Sequence, residues 1–156
     1  MNPLIQPSEN VFFEKQKKPS FNTFGESERG NFASASEIYN AIFKNAFHAM
    51  YIALANESII QFNKKLYKMF SYSEEEMNTL KSDHLFDMEE VAYIDFLKKR
   101  EEKGIAKAEI TAIKKSGIRF PCRITSVAYE SESGKKVSMN TVIDISDSLS
   151  ARWNIS

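Results

Sequence analysis

The sequence predicts an α+β fold in which a five-stranded antiparallel sheet carries helices on one face. Three observations lead to this prediction. Two short apolar segments near residue 50 flank a polar turn, as in a hairpin. A region in which apolar residues recur at helical spacing follows them. The last third of the chain holds three segments in which apolar and polar residues alternate, which is the pattern of half-buried strands.

The composition limits the kinds of partner that we expect. The 156 residues suit one domain with tails, and 21 basic side chains balance 21 acidic ones. This balance argues against nucleic acid and against an anionic membrane. The N-terminus lacks the basic start and apolar run of a signal peptide, and no window approaches the ~20 apolar residues of a membrane span. Cys122 is the single cysteine, so no internal disulfide can form and we expect a cytoplasmic protein.

The distribution of polar residues and prolines predicts the domain boundaries. Residues 1–34 hold three of the four prolines and are expected to form a mobile N-terminal tail. The folded domain is predicted over residues 35–148. Residues 149–156 are expected to begin a C-terminal linker or signalling segment.

The domain is predicted to begin with a helix followed by a hairpin. The helix covers Ser36–Phe47, and Ser36 is its expected N-cap. The first strand is Met50–Leu54 and the second is Ser58–Phe62, with a turn at Ala55–Glu57 between them.

Helical patterns occupy the middle of the chain. Asn63 is a good N-cap for a short helix, and Ser73 with Glu76 has the capping-box pattern of a second one. A single turn is predicted over Ser82–Asp87, and the longest helix over Met88–Lys103. The apolar face of this long helix is predicted to hold Val91, Ile94 and Leu97, flanked by Tyr93 and Phe96.

Three strands complete the predicted sheet: Ile105–Lys115, Ile118–Glu130 and Lys136–Ile145. Alternation assigns a common face of the first two to small and apolar residues. These residues are Ala106, Ala108, Ile110, Ala112, Phe120, Cys122, Ile124, Ser126 and Ala128.

Three motifs in this order resemble those of one known family. The run Ser71–Met77 resembles the Gly-Tyr-Ser-x-Glu-Glu-Leu run of PAS domains, with Ser in place of Gly. Lys114–Gly117 resembles their basic-basic-Asp-Gly turn, and Asp144–Ser146 resembles the Asp-Ile-Thr that closes their last strand. The resemblance covers about Ser36–Ser148 and implies the PAS fold of the sensory S-box type.

A PAS fold implies a ligand pocket between the inner face of the sheet and the helices that cover it. Alternation and the family layout together give the candidate lining residues Met69, Phe70, Phe86, Tyr93, Leu97, Ala108, Ile110, Cys122, Ile124, Ser126, Asn140 and Val142. The small residues of the strand from Ile105 would leave room for a ligand. The competing interpretation is a filled core, because aromatics and methionines at these spacings are more often packing than a cofactor site.

Haem is disfavoured as the cofactor. Haem-binding PAS sensors carry an axial His about three residues before a Tyr-Ile pair, and Glu90 occupies that position before Tyr93 and Ile94. His84 and His48 are interpreted as surface or capping side chains.

Light-sensing flavin chemistry with a covalent adduct is also disfavoured, because the Asn-Cys-Arg-Phe motif of that branch is absent. Cys122 lies on a predicted strand, where a thiol behaves as a small hydrophobe. FAD held without a covalent bond, a small acid and a fatty-acid-like ligand remain open. Arg123 would be the natural carboxylate clamp. Alternation places it on the outer face, however, where a solvated salt bridge is expected.

The function predicted from the resemblance is sensory signal transduction: the domain binds a small ligand or cofactor in its core and relays the change through its terminal helices and dimer contacts. The expected partners are the ligand, a second copy of the chain in a homodimer, or a signalling partner domain. The alternative is a ligand-free protein–protein interaction module that dimerises. No catalytic or metal-binding motif occurs in the sequence, so we do not expect an enzyme.

Overall fold

The structure of the protein, a computed structural model, describes residues 34–149. The chain divides into two compact units, Met1–Ile42 and Phe43–Ser156. The predicted tail (residues 1–34) and C-terminal segment (residues 149–156) therefore lie almost entirely outside the described residues. Within residues 34–149, no helix is long and apolar enough to cross a membrane.

Helix α1, Ala35–Lys44, begins in the described part of the first unit. Its N-cap is Ser34 rather than the predicted Ser36. The Ser34 Oγ accepts the Glu37 N–H at 3.1 Å, and the Glu37 Oε1 accepts the Ser34 N–H at 3.1 Å. The capping box requires an acid three residues after the cap, and only Ser34 of the two serines has one. These hydrogen bonds to Ser34 also lower the pKa of Glu37.

The second unit contains the sheet, which has the order β2-β1-β5-β4-β3 with every neighbouring pair antiparallel. The strands are β1 (Ala49–Leu54), β2 (Ile59–Phe62), β3 (Ile105–Ile113), β4 (Arg119–Glu130) and β5 (Lys136–Asp144). The predicted α+β fold is confirmed. Each observed strand lies within two residues of its predicted bounds at both ends.

The helices of this unit connect β2 to β3. They are α2 (Lys64–Met69), α3 (Glu74–Met77), a 3₁₀ helix (Ser82–Leu85) and α4 (Val91–Lys103). The capping box predicted for α3 is present, since the Ser73 Oγ accepts the Glu76 N–H and the Glu76 carboxylate accepts the Ser73 N–H. Gly104 ends α4 in a left-handed conformation, which glycine adopts without strain.

The prediction for the buried face of α4 was wrong. The structure buries Tyr93 and Phe96, whereas Val91 and Ile94 are 79% and 54% exposed. The aromatic side chains have the larger apolar surface to remove from water, so they determine which face packs on the sheet. The hydroxyl of Tyr93 also donates to Asp83 Oδ1 at 2.6 Å, which fixes the same orientation.

A chain of aromatic rings lies between these helices and the sheet. The ring of Phe70 contacts those of Phe86 and Phe120, with centroid distances of 6.0 and 5.5 Å. Phe86 contacts Tyr93 at 5.5 Å, and Tyr93 contacts Phe96 at 6.3 Å. Offset and edge-on contacts of this kind stabilise a core beyond the area that they bury.

Candidate functional site

The inner face of the sheet and the helices that cover it carry the residues that the sequence predicted to line a pocket. Nine of the twelve are buried: Phe70, Phe86, Tyr93, Ile110, Cys122, Ile124, Ser126, Asn140 and Val142. The other three, Met69, Leu97 and Ala108, are partly buried and pack against the same cluster. Their assignment to a ligand pocket stays a prediction.

One row of residues crosses four strands on this inner face. Tyr51 of β1 stands opposite Asn140 of β5, Asn140 opposite Ser126 of β4, and Ser126 opposite Ala106 of β3. All four side chains are buried. We call this set the polar row, because its two central members carry polar groups into an apolar interior.

The polar row holds two buried oxygen atoms without a hydrogen-bond partner, Ser126 Oγ and Asn140 Oδ1. The amide nitrogen of Asn140 is fully used, because it donates to Ser138 Oγ at 2.9 Å, to Ser138 O at 3.2 Å and to Tyr51 O at 3.4 Å. These bonds fix the orientation of the amide and leave its oxygen without a hydrogen-bond donor. Buried polar atoms are nearly always paired in folded proteins, so these two oxygens are exceptions within the described core.

A network of polar side chains lies beside the polar row. Glu57 accepts a hydrogen bond from Ser82 Oγ at 2.5 Å and forms an ion pair with Arg100 at 2.7 Å. Both charged side chains are largely shielded, with 14% and 13% exposure. The hydroxyl of Tyr51 meets Ser82 at the inner end of this network, and burial raises the pKa of Tyr51 far above its usual range. The network thus ties the β1–β2 turn, the 3₁₀ helix and α4 together.

Cys122 lies on the inner face opposite Ile110 and is buried. Burial raises the pKa of its thiol to about 12. Nucleophilic cysteines are found where the thiolate is stabilised, so this environment keeps the thiol unreactive.

The residues that bear on haem have other contacts. Glu90 binds β3, since its carboxylate accepts the Thr111 N–H at 2.8 Å and the Thr111 hydroxyl at 2.9 Å. His84 Nδ1 accepts the Lys81 N–H at 3.1 Å, which confirms its prediction as a capping side chain. The predicted outer-face salt bridge of Arg123 is also confirmed, with Glu109 at 3.1 Å. Within residues 34–149, no three His, Cys, Asp or Glu side chains stand together as a metal site.

A second site, absent from the sequence-based predictions, is an open groove of about 540 Å³. Lysines and a histidine form its rim: Lys44, His48, Lys64, Lys65 and Lys68. Its apolar lining includes Ala49, Met69 and Val142, with Phe47 at the edge. We call this the basic groove.

The side chain of Asn63 holds the walls of the basic groove together. Its amide nitrogen donates to the carbonyl oxygens of Phe43 at 3.2 Å and His48 at 2.9 Å. Its oxygen accepts the N–H groups of Met50 at 3.0 Å and Leu66 at 3.2 Å. The predicted N-cap of α2 is therefore confirmed, and the same residue also fixes the segment that leads into β1. The sequence predicted Asn63 only as an N-cap. It did not predict the bonds to Phe43, His48 and Met50 that form the groove.

Comparison with known proteins gives a family match over most of the described chain. A family model described as a PAS domain matches residues 48–147. A search of curated protein sequences found no match.

Solved structures of PAS domains are similar in fold. One from Colwellia psychrerythraea is 19% identical with a TM-score of 0.65, covering 73% of this chain and 99% of that one. One from a two-component sensor histidine kinase is 16% identical with a TM-score of 0.60, covering 69% and 94%. One in complex with ethanol, from a LuxR-family transcriptional regulator of Burkholderia thailandensis, is 17% identical with a TM-score of 0.59, covering 69% and 97%. At these identities, the likeness shows the fold alone.

Proposed function

The chain belongs to the PAS domain family, and from this membership we propose that it is a sensory signalling domain. It binds a small ligand against the inner face of its sheet and relays the change through its terminal segments and dimer contacts. The proposal is a binding function without a catalytic step.

The observation that carries the proposal is the pair of unpartnered oxygens in the polar row, Ser126 Oγ and Asn140 Oδ1. Leaving a polar atom buried without a hydrogen bond costs about 1–3 kcal/mol. One hydroxyl or amide group of a ligand would donate to Asn140 Oδ1 and accept the proton of Ser126. A bound water could do the same, so the ligand must also gain from the apolar surroundings.

The surroundings of the polar row define the chemistry of this ligand. Neighbouring inner-face side chains are apolar, such as Ile124 and Val142, and those of Ala106 and Ala108 are small. A small, mainly apolar molecule with one hydroxyl or amide group fits this chemistry. The similar PAS domain solved with ethanol provides a precedent on the same fold for an alcohol of this size.

The polar row also suggests how binding would be relayed. A ligand shifts a conformational equilibrium only by its difference in affinity for the two states. A ligand that bridges Ser126 and Asn140 links β4 to β5, and Asn140 in turn contacts Tyr51 of β1. The ends of β1 and β5 adjoin the terminal segments, so binding would favour one arrangement of these ends.

The experiment is a thermal-shift screen with small alcohols and amides on wild type, Ser126→Ala and Thr125→Val. Thr125 precedes Ser126 on β4, and alternation places it on the outer face, so Thr125→Val is the matched control. We expect a hit to raise the Tm of wild type and of Thr125→Val and to shift the side-chain amide signals of Asn140 in ¹H–¹⁵N spectra. The same hit should lose most of its effect on Ser126→Ala. Equal Tm shifts in all three proteins would contradict binding at the polar row.

The second candidate, a ligand-free dimerisation module, is favoured by a separate observation on α1. Ile38 and Ile42 are 44% and 64% exposed, although both are large apolar side chains. If α1 mediates dimerisation, Ile42→Asp will convert a dimer to a monomer in light scattering. An unchanged dimer would exclude this surface.

A further inference from the structure

We propose that the basic groove docks an acidic segment of a partner protein, with an apolar side chain of that segment seated against Phe47 and the groove lining. This inference does not depend on a ligand in the interior. It follows from the charge, shape and position of the groove.

The groove gathers four lysines that form no ion pair within residues 34–149. Among the described residues, Lys44, Lys64, Lys65 and Lys68 form no ion pair with an acidic side chain. Elsewhere among residues 34–149, Lys99, Arg100, Lys115, Arg119 and Arg123 have an acidic partner. Lys98, Lys103 and Lys107 have none, but they do not line the groove, so the groove differs by gathering four such lysines in one place. Since the whole chain has no net charge, a local excess of this kind favours an anionic partner.

The single acidic side chain of the groove lining, Asp144, offsets only one of the four lysine charges. Asp144 Oδ1 accepts hydrogen bonds from the backbone N–H and the hydroxyl of Ser146, at 2.9 and 2.6 Å. Its carboxylate is thus directed to the first turn of the helical residues 146–149. The four lysines therefore dominate the field within the groove.

The apolar part of the groove requires an apolar residue in the partner segment, in addition to its acidic residues. Phe47 is 90% exposed, the largest exposure of any large apolar side chain among the described residues. Exposed aromatic side chains beside charged groups are frequent anchors of protein–protein interfaces. The segment should therefore carry at least one large apolar residue among its acids.

The shape of the groove favours a protein segment over a small molecule or a lipid surface. Small-molecule sites usually bury most of their ligand, whereas this groove is open to solvent. A membrane surface would need apolar groups that project together from a basic face. The groove instead has a concave lining and one projecting aromatic, Phe47.

The groove also lies where the sheet meets the rest of the chain. Ala49 and Val142 form its lining and are paired across β1 and β5. Asp144 adjoins the helical residues 146–149 that follow β5. A segment bound here would contact both the entry to β1 and the exit from β5.

The test is fluorescence polarisation with a labelled pool of nine-residue peptides that carry four acidic residues and one central Leu, Ile or Phe. A pool with Lys in place of the acids is the peptide control. The variants are Lys64→Glu/Lys68→Glu, Phe47→Ala and the matched charge reversal Lys135→Glu/Lys136→Glu, at the end of the β4–β5 turn and the first residue of β5. Circular dichroism melting verifies that each variant folds.

We expect the acidic pool to bind wild type and the Lys135→Glu/Lys136→Glu variant with similar affinity, more tightly at low salt. We expect Lys64→Glu/Lys68→Glu to weaken binding by about tenfold or more, and Phe47→Ala by about fivefold.

Three results would overturn the proposal. The first is an equal loss in both charge-reversed variants, which would mean binding to diffuse charge. The second is unchanged binding in Lys64→Glu/Lys68→Glu. The third is that the peptides do not bind, while phosphatidylserine vesicles or a short single-stranded oligonucleotide bind and lose this binding in Lys64→Glu/Lys68→Glu.

Discussion

The inner face of the sheet and the basic groove are stabilised in different ways. The inner face is formed by alternate residues of five strands, and each buried side chain contributes a part of its stability. The groove is formed by the end of α1, the entry to β1, helix α2 and the end of β5. One side chain, that of Asn63, bonds to three of these parts.

This difference determines how each region responds to substitution. A change of one residue on the inner face removes one set of contacts and leaves the strand register in place, because the ladder hydrogen bonds belong to the backbone. A change at Asn63 releases four backbone groups at once. The groove is therefore the region more easily broken by a single mutation.

The largest effect near neutral pH is expected from Asn63→Ala. Asn63 is buried, and its loss leaves the buried groups that it satisfies without partners, so we expect the free energy of unfolding to fall by about 3 kcal/mol. Asn63→Ser should keep the cap of Leu66 but lose the two donated bonds, so most of the loss should remain. Urea unfolding measures both, with the exposed Asn78→Ala as control. A loss no greater than that of the control would mean that Asn63 does not hold the groove.

The second prediction compares two arginine ion pairs at the sheet. Arg100 and Glu57 are mostly shielded, whereas Arg123 and Glu109 on the outer face are 37% and 47% exposed. Arg100→Ala should cost about 2 kcal/mol, because it leaves the Glu57 carboxylate shielded without its counter-ion. Arg123→Ala should cost less than about 1 kcal/mol. Similar midpoints of urea unfolding for the two variants would contradict the difference in shielding.

The third prediction concerns the pH dependence of the inner face. Burial raises the pKa of Cys122 to about 12, from its usual value of 9.0. Below pH 9 the thiol is neutral in both the folded and the unfolded chain, so it adds no pH dependence to the free energy of unfolding. Between pH 9 and 12 the unfolded chain loses this proton first, so stability falls as pH rises, by up to about 1.4 kcal/mol per pH unit for one group.

Cys122→Ala isolates this contribution, because Tyr51 and Tyr93 also have raised pKa values and act in the same direction. The free energy of unfolding of wild type should fall more steeply than that of Cys122→Ala above pH 9. Parallel pH profiles for the two proteins would show that the thiol is not buried as described.

The strands and caps could be predicted from the sequence because their signals are local. Alternation correctly assigned Ile110, Cys122 and Ile124 to the inner face, since a strand repeats every two residues. The caps at Asn63 and Ser73 depend on a few consecutive residues.

The face of α4 and the basic groove could not be predicted, because they depend on contacts between distant segments. In the first half of α4, apolar residues project in several directions, and Asp83 of the 3₁₀ helix helps to select the face of Tyr93. In the groove, Lys44 is brought beside Lys64 by the bonds of Asn63. The sequence identified Ser126 and Asn140 as candidate residues, but their pairing depends on the β4–β5 register.

The smallest effect is expected from Ser126→Ala. The sign of its change in the free energy of unfolding tests whether the Ser126 hydroxyl lacks a partner in the ligand-free protein. Ser126→Ala removes a buried hydroxyl that has no partner, so the ligand-free protein should become more stable, by up to about 1 kcal/mol. Ser138→Ala is the matched control, because its hydroxyl accepts a hydrogen bond from Asn140 at 2.9 Å and its loss should destabilise. Urea unfolding of protein refolded from denaturant, which carries no co-purified molecule, measures both. A destabilised Ser126→Ala would mean that the hydroxyl already has a partner such as a bound water, and the polar row would then offer a ligand only one free oxygen.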